Sequence, residues 1–181
     1  LSGNLDPRSK VGAAFATALP GALESLPALA SCNLSSNQIG SEVGAKLLAA
    51  LVCHPSMRTI DLSDTNLCDV SPRHKAAAAS KWSGGALAAL ADNLAGSNVT
   101  QIILSDNQLC GMWSEHIGGE PCVRGSYTSS ALEHVVKALN KAPHQLTMSK
   151  GKLDGIKLSK GNFVRPGDIE RLLAAFVSNL E

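Results

Sequence analysis

A short run of alternating apolar and polar residues recurs along the chain and is its strongest pattern. Each copy runs through a few apolar positions to a Leu-Ser pair, then crosses two or three polar residues to another apolar residue. Alternation over so few residues predicts a β-strand with one buried face. Leu1-Ser2-Gly3-Asn4 is a clipped copy, and the four full copies contain Leu34-Ser35, Leu62-Ser63, Leu104-Ser105 and Leu158-Ser159.

Helical patterns lie between these strands. Apolar residues three and four positions apart give a helix one buried stripe. Pro166, followed by Gly167-Asp168, is a typical start signal for the last of these helices. We therefore predict a repeated unit of strand, turn and helix. The clearest stripes are Leu87, Leu90 and Leu94, then Leu132, Val135 and Leu139, then Ile169, Leu172 and Phe176.

An asparagine recurs in the predicted turn, three residues after the leucine, at Asn4, Asn37 and Asn107. Its amide can bond backbone groups of the turn, and stacked copies can form a ladder between units. Thr65 and Gly161 replace the asparagine in the other two units. We expect a weaker ladder at those two positions.

The pattern L-x-x-L-x-L-x-x-N-x-L, with a long helix in each unit, resembles leucine-rich repeats of the ribonuclease-inhibitor type. That type also occurs in NOD-like receptors and Ran GTPase-activating proteins. The resemblance covers nearly the whole chain and implies an α/β fold, an open solenoid of about four to five repeats. It places a parallel sheet on the concave face and helices on the convex face, and most members bind proteins.

We expect residues 1–181 to form a single repeat array. The sequence starts inside a unit and shows no polar N-terminal cap, which repeat arrays need. It therefore predicts a piece of a longer repeat protein, or an end that a partner covers.

The spacing of the repeats predicts where the array is interrupted. Leu62 follows Leu34 by 28 residues, whereas Leu104 follows Leu62 by 42 and Leu158 follows Leu104 by 54. Extra residues in a repeat array form loops, often on the binding edge. We predict inserts at about 68–83 and 110–129, side by side beyond the strand C-termini. A smaller irregular piece is expected at 143–152, on the opposite rim.

Every tryptophan and tyrosine of the chain lies in or beside these inserts, at Trp82, Trp113 and Tyr127. Trp, Tyr and Arg dominate the energetics of protein interfaces. The first hypothesis is a partner-binding edge formed by the second insert, with Trp113, Arg124 and Tyr127. The alternative is that the aromatic residues fasten their own loops to the array. For Trp82, which precedes a helix start near Gly84, the fastening role is favoured.

The outward face of the predicted sheet is the second candidate surface. It carries small polar residues, with acidic residues in its middle units and basic residues in the last one. Such a face can steer a partner of complementary charge, or it can simply be a solvated sheet. Its candidate residues are Asp61, Asp64, Ile103, Asp106, Lys157 and Lys160.

Composition and motifs narrow the classes of function. The net charge is +1 and no stretch interleaves aromatic with basic residues, so we predict no nucleic-acid partner. No apolar run approaches the ~18 residues of a membrane helix, so we expect no membrane insertion and an intracellular, cytoplasmic protein. Known catalytic motifs are absent and the five histidines show no ligand-like spacing. We therefore predict no enzyme, no cofactor and no metal.

The five cysteines form no CxxC pair, which favours free thiols over a disulfide framework or zinc site. Cys68 and Cys110 occupy equivalent positions in neighbouring units and are one alternative disulfide pair. Cys110 and Cys122, within one insert, are another.

These observations predict a non-catalytic protein-interaction or scaffold module, a subunit or part of a larger assembly. Two alternatives come from the resemblance. A regulator of a small GTPase would need a specific arginine, and none can be placed on the rim of the strands. A ligand-sensing repeat domain would need a nucleotide-binding module, which this sequence lacks.

Overall fold

A computed structural model describes residues 10–70, 82–117 and 120–141, the short segments 148–149, 152–153 and 156–157, and positions 167, 170, 171 and 174. The helices are α1 (Lys10–Glu24), α2 (Gly40–Cys53), α3 (Gly85–Asn93) and α4 (Ser130–Lys141). The longer strands are β1 (Ser31–Asn33), β2 (Thr59–Asp61), β3 (Gln101–Ile103), β4 (Met112–Ile117) and β5 (Glu120–Gly125). Two-residue strands follow, β6 (Met148–Ser149), β7 (Lys152–Leu153) and β8 (Ile156–Lys157).

The predicted strands come together in one parallel sheet, in the order β1-β2-β3-β8. Equivalent residues of successive copies are direct neighbours, since Cys32 pairs with Ile60, Ile60 with Ile102, and Ile102 with Ile156. The prediction of an α/β fold with a parallel sheet is confirmed. Three predicted parts of the chain lie outside the described residues, apart from single positions. They are the copies at residues 1–4 and 158–163 and the helical stripe at 169–176.

The core lies between this sheet and the helices, which pack in chain order, α1 on α2, α2 on α3 and α3 on α4. On the strands, Ile60 and Ile102 are fully buried while their neighbours along each strand are partly exposed. This is the alternation that the sequence predicted. The helical stripes are buried as predicted, at Leu87, Leu90, Leu94, Leu132 and Val135.

The buried side chain of Asn107 joins two neighbouring units. Its Oδ1 accepts hydrogen bonds from the backbone N–H groups of Thr65 and Leu67, at 3.1 Å each, and from the Thr65 hydroxyl. Its Nδ2 donates to the Leu62 carbonyl at 2.6 Å and to two carbonyls of its own turn. The prediction that this asparagine bonds the turn and spans units is confirmed at Asn107.

Thr65, which replaces the asparagine in the second unit, bonds differently. Its hydroxyl donates to the Leu62 carbonyl of its own turn at 2.7 Å. The link from Thr65 to the unit before it comes from its backbone carbonyl, which accepts from the N–H groups of Ile39 and Gly40. The side chain of Thr65 therefore contributes less than that of Asn107 to the bonds between units.

Both predicted inserts are closed at their base by the same kind of backbone hydrogen bond. The N–H of Ser83 donates to the carbonyl of Cys68 at 3.1 Å, and that of Thr128 donates to Cys110 at 3.0 Å. Most of the first insert lies outside the described residues.

The second insert folds as an antiparallel hairpin of β4 and β5, which the sequence reasoning did not predict. The sequence carries a typical hairpin signal at this place, Gly118-Gly119 between two short strand-like runs. The irregular piece predicted at 143–152 contains β6 and the start of β7, an antiparallel pair.

Among the described residues, no helix combines the length and apolar content needed to cross a bilayer. All five cysteines are free thiols. Cys68 and Cys110 are fully buried, Cys32 and Cys122 are partly buried, and Cys53 is exposed.

Candidate protein-binding surfaces

Two glycines lie at the base of the β4–β5 hairpin, where the backbone segments approach closely. Gly111 and Gly125 both have left-handed backbone, with φ of +73° and +90°. A Cβ on Gly125 would lie 2.1 Å from the carbonyl oxygen of Gly111 and 2.7 Å from the Trp113 ring. Only glycine allows this close approach, so the geometry of the hairpin base depends on it.

The outer part of the hairpin exposes an apolar and a basic residue that are consecutive in β5 and therefore point to opposite faces of the hairpin. Val123 is 54% exposed, and Leu26 is the other large hydrophobic side chain exposed in the part of the chain that the structure describes. Arg124 is exposed, and its Cα pairs across the hairpin with that of Trp113. The structure thus brings two predicted site residues, Trp113 and Arg124, together and adds Val123, which sequence reasoning did not single out.

Trp113 itself is only partly exposed and packs against the core. Its indole nitrogen is buried and has no hydrogen-bond partner among the described residues. A buried N–H without a partner costs free energy, so this ring is held by its packing rather than by a polar contact. Trp113 is therefore an anchor of the hairpin, and the exposed surface beside it comes from β5.

Trp82 and Tyr127 occupy equivalent positions in the two inserts. Each directly precedes the residue whose N–H closes the insert, Ser83 or Thr128. The indole N–H of Trp82 donates to the carbonyl of Leu109 in the next unit at 3.1 Å. Trp82 therefore fastens its insert both to the next unit and to its own helix, since a Cβ on Gly84, directly before α3, would lie 2.8 Å from its ring. Tyr127 is partly exposed and also packs against the core.

The outward sheet face carries a repeated side-chain motif. Asn33 Oδ1 accepts from the N–H of Ser35 at 2.9 Å and from its hydroxyl at 2.7 Å. In the next unit Asp61 Oδ1 accepts from the N–H of Ser63 at 3.0 Å and from its hydroxyl at 2.6 Å. The predicted site residue Asp61 is thus partly exposed but already bound within its own unit.

The other sheet-face candidates that the structure describes lie either on a strand or in the turn that follows it. Ile103 is partly exposed, and its Cα pairs with Asp61 on one side and Lys157 on the other. Asp64 and Asp106 are partly exposed residues in equivalent turns, with left-handed φ of +53° and +58°. The backbone of Lys157 belongs to β8, and Lys160 lies outside the described residues.

Asp69, at the start of the first insert, caps a helix in the preceding unit. Its Oδ1 accepts from the backbone N–H of Ser41 at 3.0 Å, in the first turn of α2. Burial raises the pKa of the Asp69 carboxyl, the Ser41 bond opposes this rise, and Glu42 adds to it. The first insert is therefore bonded to the unit before it through Asp69.

A depression of about 370 Å³ lies on the opposite rim, between the helix C-termini of two units. It is lined by polar and small residues, among them Cys53, His54, Asn93 and Asn98. His54 is 7% exposed, and one ring nitrogen lies 3.2 Å from the Leu26 carbonyl while the other accepts from the N–H of Ser56. These contacts give the histidine a structural role there.

Within the described residues, no group of three or more His, Cys, Asp or Glu side chains is placed to hold a metal ion. Comparison with models of known protein families and with curated protein sequences gives no match to this chain. The hairpin and the outward sheet face are the two candidate surfaces of the described part of the chain.

Proposed function

We propose that this chain is a leucine-rich-repeat module that binds another protein without catalysis, as a scaffold or subunit of a larger assembly. The repeated strand, turn and helix units, their in-register parallel strands and the Asn107 bonds between units support the repeat assignment. In such an array the loops on one rim can vary while the stacked core stays the same.

One observation carries the binding proposal, namely the hairpin, which exposes Val123 on one face and Arg124 on the other and has Gly111 and Gly125 at its base. Protein interfaces are enriched in arginine, and their fully buried core is more apolar than the rest of the protein surface.

The test is site-specific photo-crosslinking in extracts of the native source. A photoreactive phenylalanine analogue replaces Val123 in one variant and Leu26 in the control variant. Leu26 is 49% exposed and lies far from Val123 in the sequence. The proposal predicts that one defined protein crosslinks at position 123 and not at position 26. An excess of unmodified chain must suppress this crosslink.

Binding of the captured protein is then measured with purified variants. A Val123→Ser, Arg124→Ser double variant should bind at least about tenfold more weakly, whereas Leu26→Ser should bind normally. Equal crosslinking at both positions, or unchanged affinity of the double variant, would show that the hairpin is not the binding surface.

A further inference from the structure

Strand β5 of the hairpin has one backbone edge that faces away from β4. The pairing of Ile117 with Glu120 leaves a loop of two residues, and the residues that flank such a loop are hydrogen-bonded to each other. Because bonded and non-bonded pairs alternate along an antiparallel ladder, Cys122 and Arg124 direct their backbone groups toward β4. Val123 lies at a non-bonded pair, so its backbone groups point away from β4.

This edge of β5 can accept another strand. The hairpin is a sheet of only two strands, and outside its ladder no described residue hydrogen-bonds the N–H or the carbonyl of Val123. Pro121, the other outward residue, has a carbonyl but no N–H. A proline within a strand is confined to such an edge, which agrees with this direction. A strand edge with unpaired backbone groups is a template for pairing with another chain.

The sequence of β5 is self-complementary about Cys122. Glu120 lies two positions before this cysteine and Arg124 lies two positions after it. Two antiparallel copies of β5 that meet at Cys122 therefore place Glu120 of each copy directly opposite Arg124 of the other. Both charged residues are exposed. Opposite charges on directly opposed residues stabilise a pair of strands, whereas like charges destabilise it.

The same register satisfies backbone groups on the edge. With the two Cys122 residues opposed, Val123 lies opposite Pro121 of the second copy, and both direct backbone groups to the shared edge. The N–H of Val123 can then donate to the carbonyl of that Pro121, and twofold symmetry supplies the bond again. The neighbouring symmetric register, which pairs Val123 with itself, places Arg124 opposite Cys122 and loses both ion pairs.

We propose that the free edge of β5 pairs with β5 of a second copy of this chain. The two strands are antiparallel about a twofold axis at Cys122, and they form a four-stranded sheet in the order β4-β5-β5-β4. The inference rests on the proposed binding role of the hairpin and names a second copy as the partner of its edge. The side chain of Val123 stays on a face of this sheet, where it can still contact a different protein.

The first experiment measures self-association of the purified full chain by sedimentation velocity at increasing concentration. The wild type should show a monomer–dimer equilibrium. Glu120→Arg and Arg124→Glu each turn the two ion pairs into two like-charged pairs, so each should raise the dissociation constant of the dimer about tenfold or more. The double variant restores both ion pairs with reversed sign and should dimerise like the wild type.

Rescue by the double variant separates the proposed pairing from damage to the hairpin, because the double variant carries both substitutions. A wild-type chain that stays monomeric up to about 1 mM would overturn the proposal. Single variants that dimerise normally, or a double variant as weak as they are, would also overturn it.

The second experiment fixes the register by crosslinking through cysteine. Diamide oxidises two thiols to a disulfide and takes up their two electrons and two protons as it becomes a hydrazine. Opposed residues of a non-hydrogen-bonded pair have Cα atoms about 4.5 Å apart, within the span of a disulfide. Cys53→Ser, which removes the exposed thiol, should therefore still give a covalent dimer in non-reducing electrophoresis. The Cys53→Ser, Cys122→Ser variant should not.

A covalent dimer that forms without Cys122, or none in Cys53→Ser, would contradict the proposed pairing. Both experiments use the purified chain alone, so they fail separately from the proposed function. A missing crosslink at Val123 in extracts would leave the dimer unchanged. A monomeric chain would leave a crosslink to a different protein unchanged.

Discussion

The substitution Asn107→Ala tests whether the buried amide ladder holds neighbouring units together. The side chain is fully buried, and its removal takes the acceptor from two backbone N–H groups, those of Thr65 and Leu67. The Leu62 carbonyl keeps one partner, since the Thr65 hydroxyl still donates to it. The loss therefore falls mainly on the two N–H groups in the preceding unit.

The magnitude follows from the cost of leaving such groups unsatisfied. A buried donor without a partner costs roughly 1–3 kcal/mol, so two of them should lower the free energy of unfolding by about 4 kcal/mol. A domain of this size has only about 5–15 kcal/mol in total, so the variant should lose between about a quarter and four-fifths of its stability. The measurement is urea denaturation, followed by far-ultraviolet circular dichroism and by tryptophan fluorescence.

Asn98→Ala is the matched control, because Asn98 is exposed and its amide makes a single bond, to the Pro55 carbonyl at 2.8 Å. Its loss should cost about 0.5–1 kcal/mol. If Asn107→Ala shifted the urea midpoint no further than Asn98→Ala does, the ladder would not be a main source of stability. The reasoning about stacked units would then be wrong.

Three further predictions concern the inserts and the thiols. Because burial raises the pKa of Asp69, its contribution to stability is greatest below the ordinary Asp pKa and is lost as the pH rises through the raised value. Asp69→Asn should therefore resist urea better than the wild type at pH 7 and equally at low pH. Burial also raises the pKa of Cys68 to about 12, so native protein should be alkylated at exposed Cys53 and not at Cys68, as mass spectrometry would show. Trp82→Phe keeps the ring but loses the bond to Leu109, and should cost about 1 kcal/mol in urea denaturation; an unchanged midpoint would contradict the fastening role.

The sheet and its ladder were predictable because their signals are local and repeated. Alternation around Ile60 and Ile102 fixes which residues face the core, and equal spacing within each copy fixes their register. Asn107 could be assigned its role because an amide at a turn has few other partners. These features depend on residues a few positions apart, which a sequence displays directly.

The candidate site was predictable only in part. The spacing located the second insert, and Trp113 and Arg124 proved to be cross-strand partners, but Val123 was missed because one valine in a polar loop carries no signal. The sequence placed Asp61 on the sheet face without showing that its side chain bonds Ser63 of its own unit.

The backbone bonds that join the strands of neighbouring units lie before the inserts, although Asp69 and Trp82 of the first insert also bond to neighbouring units. Before each insert, equivalent backbone groups join the units, from Leu34 to Asp61 and from Leu62 to Ile103, at 2.8 and 2.9 Å. The insert begins only after Cys68 or Cys110, and one backbone bond closes it. A change in the hairpin therefore leaves β3 in place. Substitutions on the two candidate surfaces should accordingly have additive effects on binding, as expected for sites without shared contacts.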